Sequence, residues 1–269
     1  FERAENTLWI NKEGRFLHQS MRDLVFEASR LIGFTDVNIK QEGFGAYDTT
    51  MRNGRRWSTA DAYLKPTLRQ YGDKLHLKLN STVAKILFNE ENTRAIAVQL
   101  GNSKIIKAKR EIILSSGAFG SPAVLMRSGI GNSTKLKKFH IKMVKELPGV
   151  GQNLQDHPTV VSIVRTNESR WDTIKEDPPS IGQLADFFIF GRGTFASNIG
   201  EVGGYIKTKF AQFPEVPDIQ FHCAPTFFGI PQLLEIKEKD NRAEEYLTCA
   251  TTVVTARDKG SVELKSLNI

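Results

Sequence analysis

Two patterns predict a mixed fold, an α/β portion followed by an antiparallel sheet. In the first portion the hydrophobic period switches between helix-like and strand-like. There an apolar run, Ile112-Ile113-Leu114, leads into a glycine turn and then a helix. Beyond Pro148, strand-like segments follow one another with a single helix among them, which favours antiparallel pairing over repeated βαβ units. A chain of 269 residues has room for one large domain or two modest ones. The change of texture at 149–158 suggests a division into residues 1–150 and 151–269.

Taken in order, Ser20–Ile32 reads as an amphipathic helix, with Met21, Leu24, Val25, Ala28, Leu31 and Ile32 on one face. Ser20 and Asp23 have capping-box spacing, and Gly33 stands where a C-terminal cap belongs. A second helix starts at Ser58 or Thr59, with Asp61 following, and Pro66 kinks or ends it. Leu75, Leu77 and Leu79 alternate with polar residues, as in a half-buried strand. Val83–Phe88 is a further strand. Arg94–Leu100 and Lys104–Leu114 flank Gly101-Asn102-Ser103 as the arms of a hairpin, and the second arm ends in a run typical of a strand covered on both faces. Ser121-Pro122 opens a helix that closes at Ser128-Gly129. Later strands are Val160–Arg165, Val202–Lys209, Asp218–Ala224, Leu247–Ala256 and Gly260–Lys265, with one helix, Ile181–Phe190, among them. Phe187, Phe188 and Phe190, like Phe227-Phe228, read as core rather than as a substrate box.

Composition narrows the function. The net charge of +7 is spread along the chain apart from Lys135, Lys137, Lys138 and Lys142, and no nucleic-acid motif accompanies it, so a solvated basic surface is expected. No apolar run has the roughly 18 residues that a membrane span needs. Cys223 and Cys249 are too few for a disulfide framework or a zinc site; they read as buried thiols, with one disulfide left open, and no metal is expected. Sequons at Asn80, Asn132 and Asn167 are close to chance. They favour an extracellular compartment only slightly and leave mitochondrial and cytoplasmic ones open. The first residue is not Met, and the start carries charges rather than a secretory signal, so a portion of a longer chain is expected.

Three stretches carry a specific resemblance. Gly117-Ala118-Phe119-Gly120-Ser121-Pro122 runs through Ala123-Val124-Leu125-Met126-Arg127 into Ser128-Gly129-Ile130-Gly131. Next comes Leu147-Pro148-Gly149-Val150-Gly151-Gln152-Asn153-Leu154-Gln155-Asp156-His157. Upstream lies Gly54-Arg55-Arg56-Trp57-Ser58-Thr59-Ala60-Asp61-Ala62-Tyr63-Leu64-Lys65-Pro66. In order and spacing these resemble glucose-methanol-choline (GMC) oxidoreductases. Phe190-Gly191-Arg192-Gly193, Glu201-Val202-Gly203-Gly204-Tyr205 and Pro217-Asp218-Ile219-Gln220-Phe221-His222 continue the resemblance over nearly the whole chain. These later stretches are most similar to arthropod glucose-dehydrogenase-like members, with choline dehydrogenase close behind.

The resemblance implies part of a Rossmann-like FAD-binding domain in residues 1–150 and part of an antiparallel-sheet substrate-binding domain in 151–269, with N- and C-terminal parts missing. It implies FAD, held covalently or not, an alcohol substrate (a sugar, choline or a related CH–OH compound) and oxygen or quinone as electron acceptor. Ser116, Gly117 and Ala118 become FAD-adjacent. A glycine turn into a helix exposes backbone N–H groups to anionic ligands, although tight helix-on-strand packing would use the same residues. Val83 meets the adenine through its backbone or is an ordinary core valine. Glu201 faces the substrate cavity, as an acid does in choline-oxidising relatives, or is a solvated strand end. Asp156-His157 could tune each other as an acid–base pair. Neighbours on a strand point to opposite faces, however, so a structural role near the domain junction is expected. The family's Gly-x-Gly-x-x-Gly loop and its late catalytic histidine are not in these residues, so no catalytic residue is expected in this chain, and alone it should bind FAD poorly and oxidise no alcohol. Two readings remain: a partial record of an active enzyme, or a fold that kept binding and lost the chemistry.

Overall fold

The antiparallel sheet anticipated beyond Pro148 is present from Thr159, and it recruits the strand at residues 43–46. The computed structural model describes residues 8, 10, 19–34, 42–166, 180–227 and 245–268. In chain order, helix α1 (Gln19–Leu31) precedes strands β1 (Gly43–Ala46), β2 (Met51–Arg52) and β3 (Arg55–Arg56), and a π-helical turn (Ala60–Leu64) runs into α2 (Lys65–Tyr71). Next come β4 (Val83–Phe88), β5 (Ala95–Leu100), β6 (Ile105–Lys107), α3 (Gly117–Arg127), β7 (Ile130–Gly131), α4 (Ser133–Lys137), β8 (Lys145–Glu146) and β9 (Gln152–Leu154). The remainder is β10 (Thr159–Thr166), α5 (Ile181–Ala185) with a second π turn (Asp186–Phe190), β11 (Val202–Ile206), β12 (Ile219–Ala224), β13 (Glu245–Val253) and β14 (Gly260–Ser261).

These elements form two compact units, residues 1–75 with 157–255, and residues 76–156 with 256–269. The boundary expected at 149–158 coincides with one of three chain crossings. The other two, after Leu75 and after Thr255, make each unit discontinuous, where a single cut at 150 would leave both contiguous.

In the first unit the strand order is β1-β11-β12-β13-β10, antiparallel throughout. Its core gathers Met21 and Val25 from α1 with Phe44, Val202, Cys223 and Leu247 from the sheet. Burial of that apolar face is what holds the helix on the strands. Helix α1 ends as its sequence foretold: the Gly33 N–H bonds to the Arg30 carbonyl and the Phe34 N–H to the Ser29 carbonyl, a Schellman arrangement. Its start differs. Ser20 lies one residue inside the helix, and Asp23 Oδ1 accepts from Arg22 Nε at 3.0 Å, so an ion pair takes the carboxyl group that a capping box would have used.

Two adjacent glycines would ordinarily weaken a strand. In β11 they admit aromatic rings instead. A Cβ on Gly203 would come within 2.6 Å of Tyr47 Cε2, and one on Gly204 within 2.7 Å of Phe44 Cγ. Phe44 also meets Phe34 and Phe221, with ring centroids 5.8 and 5.3 Å apart.

The cysteines are not free thiols. Cys223 and Cys249 stand opposite each other in the β12–β13 register, with Cα atoms 4.2 Å apart, and are joined as a disulfide. Cross-strand register, which a sequence does not display, brings them together.

Ser58 opens the second helical stretch as expected: its Oγ donates to Asp61 Oδ2 at 2.6 Å, and the Asp61 N–H returns to Ser58 Oγ at 3.4 Å. Lys65 and Ser58 together hold the Asp61 carboxyl down to about 2. Pro66 does not end the helix. The preceding turn widens, the Lys65 N–H reaching the Ala60 carbonyl, and α2 continues through Tyr71 with Pro66 in its first turn, where the missing N–H is tolerated. The helix at Ile181 is capped by a reciprocal Ser180–Gln183 box. Its Phe-rich end was expected in the core, yet Phe188 and Phe190 are exposed and only Phe187 is half-buried. Phe227 packs edge-on against Tyr246, while Phe228 lies outside the described residues.

The second unit holds the meander β4-β5-β6. The hairpin closes through Gly101–Ser103, the Ser103 N–H bonding to the Leu100 carbonyl. Its second arm stops at Lys107. The runs Leu75–Leu79 and Ile112–Leu114 have the right periodicity but pair with no strand among the described residues, and Ile113 is 79% exposed. A strand exists only when a neighbour takes its backbone hydrogen bonds, and these segments have none there. Helix α3 starts at Gly117, four residues before the expected Ser121, and closes at Ser128 as foreseen. At its end Ser128 is buried: its Oγ donates to the Val124 carbonyl at 2.6 Å and accepts the Ile86 N–H at 2.8 Å, while Arg127 Nε donates to the Ala84 carbonyl at 2.8 Å. The outer edge of β4 is thereby satisfied by the helix end.

Two substitutions test this architecture. Gly203→Ala should lose about 1–3 kcal/mol of stability, because an extra methyl would run into the Phe221 carbonyl of the neighbouring strand and into the Tyr47 ring. Gly149→Ala, where a Cβ meets nothing within 4 Å, should change little. Equal urea midpoints for the two variants would refute the packing argument. Ser128→Ala should lose about 1–3 kcal/mol by stranding the Ile86 N–H; an unchanged midpoint would show that the clip contributes nothing.

Candidate functional site

The opening of α3 is the more exposed of the two places where site residues were expected. Ser116, Gly117 and Ala118 are all exposed. Ser116 is the N-cap residue, and its own N–H donates to Ser121 Oγ at 3.0 Å. Gly117 has a φ of +78°, a backbone state that disfavours any side chain, and a Cβ there would meet nothing within 4 Å. The space before the helix is therefore open, and the first-turn N–H groups have no intrahelical acceptor. Pro122, inside the helix, has no N–H to give to the Ala118 carbonyl. The start of α3 thus offers donors at the positive end of the helix dipole, with an acceptor close by.

Val83 opens β4, an edge strand of its sheet, opposite Leu100. Helix α3 and β4 are tied together, but through Arg127 and Ser128 at the far end of the helix rather than through Ser116–Ala118. Half of the glycine-rich signature is thus architecture, and only its first residues remain open. A depression of about 530 Å³ lies along β4, walled by Ala84, Ile86, Arg127, Phe139 and His140.

Glu201 belongs to the other unit. It is 8% exposed, not a solvated strand end, and its Oε1 accepts from Ser197 Oγ at 2.7 Å. Its backbone carbonyl accepts the Tyr47 N–H at 3.0 Å. The Tyr47 ring lies 5.1 Å from the His222 imidazole, and Gln220 Nε2 donates to Tyr205 Oη at 2.7 Å. Burial pushes the Tyr47 and Tyr205 phenols above their ordinary range and the His222 imidazole below its own. The backbone of Glu201 is therefore joined to Tyr47, whose phenol stays protonated beside a His222 imidazole held toward its neutral form. Tyr47 carries no local signal that could have marked it. His222 lay within a recognised stretch without standing out from it.

Asp156 and His157 are exposed, and one unit ends between them as the other resumes. The His157 carbonyl accepts from Thr159 Oγ1 at 3.2 Å. Among the described residues no cluster of His, Cys, Asp and Glu is arranged to hold a metal, and no helix is long and apolar enough to cross a membrane.

Known proteins match this chain over nearly all its length. It is 36% identical to mitochondrial choline dehydrogenase of Mus musculus, over 94% of this chain and 41% of that protein. It is 33% identical to oxygen-dependent choline dehydrogenase of Brucella anthropi, over 100% of this chain and 50% of that one. The chain therefore spans about half the length of the curated relatives it matches. Among solved structures, formate oxidase of Aspergillus oryzae RIB40 superposes with a TM-score of 0.79 at 20% identity, over 97% of this chain and 49% of that one. An FAD-dependent oxidoreductase from Chaetomium thermophilum gives a TM-score of 0.69 at 18% identity, over 90% and 48%. These likenesses establish the shared fold. The GMC oxidoreductase family profile matches residues 1–159, more than half of the sequence and including all three of the stretches that first carried the resemblance, and the chain belongs to that family.

Proposed function

We propose that this chain is the central portion of an FAD-dependent oxidoreductase acting on the CH–OH group of an alcohol. The observation that carries the reading is the identity with choline dehydrogenase, sustained at 36% over 94% of the chain. The geometry supports it, because Ser116–Ala118 leave an open, donor-rich helix start suited to an anionic cofactor. In this reading the second unit holds the adenine side of FAD, with Val83 on the sheet edge and Ser116, Gly117 and Ala118 at the helix opening. The first unit walls the alcohol.

FAD, when bound, would supply the hydride acceptor. The chain's own residues position and shield. Glu201, buried and held by Ser197, would accept a hydrogen bond from a substrate hydroxyl or balance a substrate cation such as choline's ammonium group. Tyr47, anchored by its backbone to Glu201 and by its hydroxyl to the Phe221 carbonyl, would keep that carboxyl group in place. Oxygen or a quinone would take the electrons onward.

Two measurements on the complete gene product test this. Glu201→Gln should raise the KM for choline about tenfold or more, with a smaller effect on kcat, since a lost charge-assisted contact costs about 1.5–3 kcal/mol. An unchanged KM would remove Glu201 from the substrate site. Gly117→Val should lower the flavin bound per protein, read from flavin absorbance, while circular dichroism stays unchanged. Full flavin occupancy in that variant would take the helix opening out of the cofactor site, and a folded wild-type protein with neither flavin nor alcohol turnover would overturn the reading itself.

A further inference from the structure

A groove of about 650 Å³ in the first unit is distinct from the Glu201 end of the sheet and has a different chemistry. It is within the size range of small-molecule sites. One wall is the β2–β3 hairpin, turned by Asn53-Gly54, both with positive φ as a two-residue type I′ turn requires. The other wall is the second π turn and Gly191. Backbone meets backbone between them: a Cβ on Gly54 would strike the Gly191 carbonyl, and one on Gly191 would strike the Asn53 carbonyl. This glycine contact sets an arginine-bearing turn against an aromatic one.

The groove carries four cations, Arg52, Arg55, Arg56 and Lys65, and one acid, Asp61. Asp61 is already engaged by Lys65 and Ser58. Among the described residues neither Arg55 nor Arg56 meets a carboxyl group. The Arg55 guanidinium instead lies 5.8 and 5.9 Å from the ring centroids of Phe187 and Phe188. A guanidinium placed against rings keeps its N–H fork available to a planar acceptor. Trp57, in the same lining, has a buried Nε1–H without a hydrogen-bond partner, an uncommon condition for a buried donor. Beside these donors Phe188, Ile189 and Phe190 are 65%, 69% and 58% exposed.

The guanidinium forks of Arg55 and Arg56, a partnerless indole donor and an exposed aromatic wall are complementary to one kind of molecule. We propose that this groove binds an aromatic carboxylate. Its ring packs on Phe188 and Phe190, its carboxylate takes the forks of Arg55 and Arg56, and the Trp57 indole supplies a further donor. A cationic alcohol such as choline is repelled here, so the groove is separate from the substrate position assigned to Glu201 and does not depend on it.

Isothermal titration of the chain with naphthoate and with its neutral methyl ester tests this without flavin or turnover, so failure here leaves the redox reading untouched. Naphthoate should bind at least about tenfold more tightly than the ester, with affinity falling as salt rises. The double variant Arg55→Ala, Arg56→Ala should lose about tenfold or more. Arg55→Lys with Arg56→Lys, which keeps the charge but not the fork, should fall between. Trp57→Phe should weaken binding measurably, and Lys85→Ala in the other unit should not. Equal binding of acid and ester, or full binding by the double alanine variant with unchanged circular dichroism, would overturn the proposal. Absence of naphthoate heat alongside capture by phosphatidylserine vesicles would also overturn it, in favour of a membrane-facing surface.

Discussion

The pairing of β1 with β11 is the constraint on which the first unit depends. Residues 43–46 align with 202–205, so a strand from the start of the chain is fixed beside one from its last third. Such a close alignment is possible because Gly203 and Gly204 leave room for Tyr47 and Phe44. The Phe44 ring then completes the core under α1, the Tyr47 hydroxyl donates to the Phe221 carbonyl, and the Tyr47 backbone N–H fastens the carbonyl of Glu201. Core and candidate substrate position are thus set by one backbone contact. Larger residues in β11 would separate the strands and release both.

The second unit solves a different problem, that of an edge. β4 exposes one side of its backbone, and the end of α3 covers it through Ser128 and Arg127. Within the family's Ser-Gly-Ile-Gly sequence, Ser128 acts as a structural clip. The opposite end of the same helix is open instead, where the glycine at 117 and the exposed neighbours 116 and 118 leave the backbone accessible.

How much of this was legible depended on whether the determining contact was local. The Gly33 cap, the Ser58–Asp61 box, the hairpin at Gly101–Ser103 and the strands between Thr159 and Val253 rest on residues close in sequence or on a clear period, and they appear near where expected, whereas Gly260–Lys265 shrinks to the two residues of β14. Leu75–Leu79 and Ile112–Leu114 had the period but not the partner, and periodicity carries no information about a neighbour. The cysteine pair needed the β12–β13 register, and the exposure of Phe188 and Phe190 needed tertiary packing. The Asn53-Gly54 turn was not among the expected hairpins, and it leads directly to the Arg55–Trp57 groove. The site residues themselves came from family resemblance. Burial then distinguished Glu201, enclosed and held by Ser197, from the exposed Asp156-His157 pair.

The interleaving of the two units has a consequence during synthesis. Residues 76–156 leave the ribosome as one continuous block, and all but 14 residues of the second unit are available once they have emerged. The first unit must wait. Its apolar strand at 43–46 has no partner until residue 202 has been made, and Leu247 joins the core later still. For the whole interval Phe44 and the inner face of α1 lack their cover, and long-range closure of this kind is slow. The nascent chain therefore presents its stickiest surface while its middle is already able to fold. Chaperone demand during translation should be concentrated on α1 and the strand at residues 43–46.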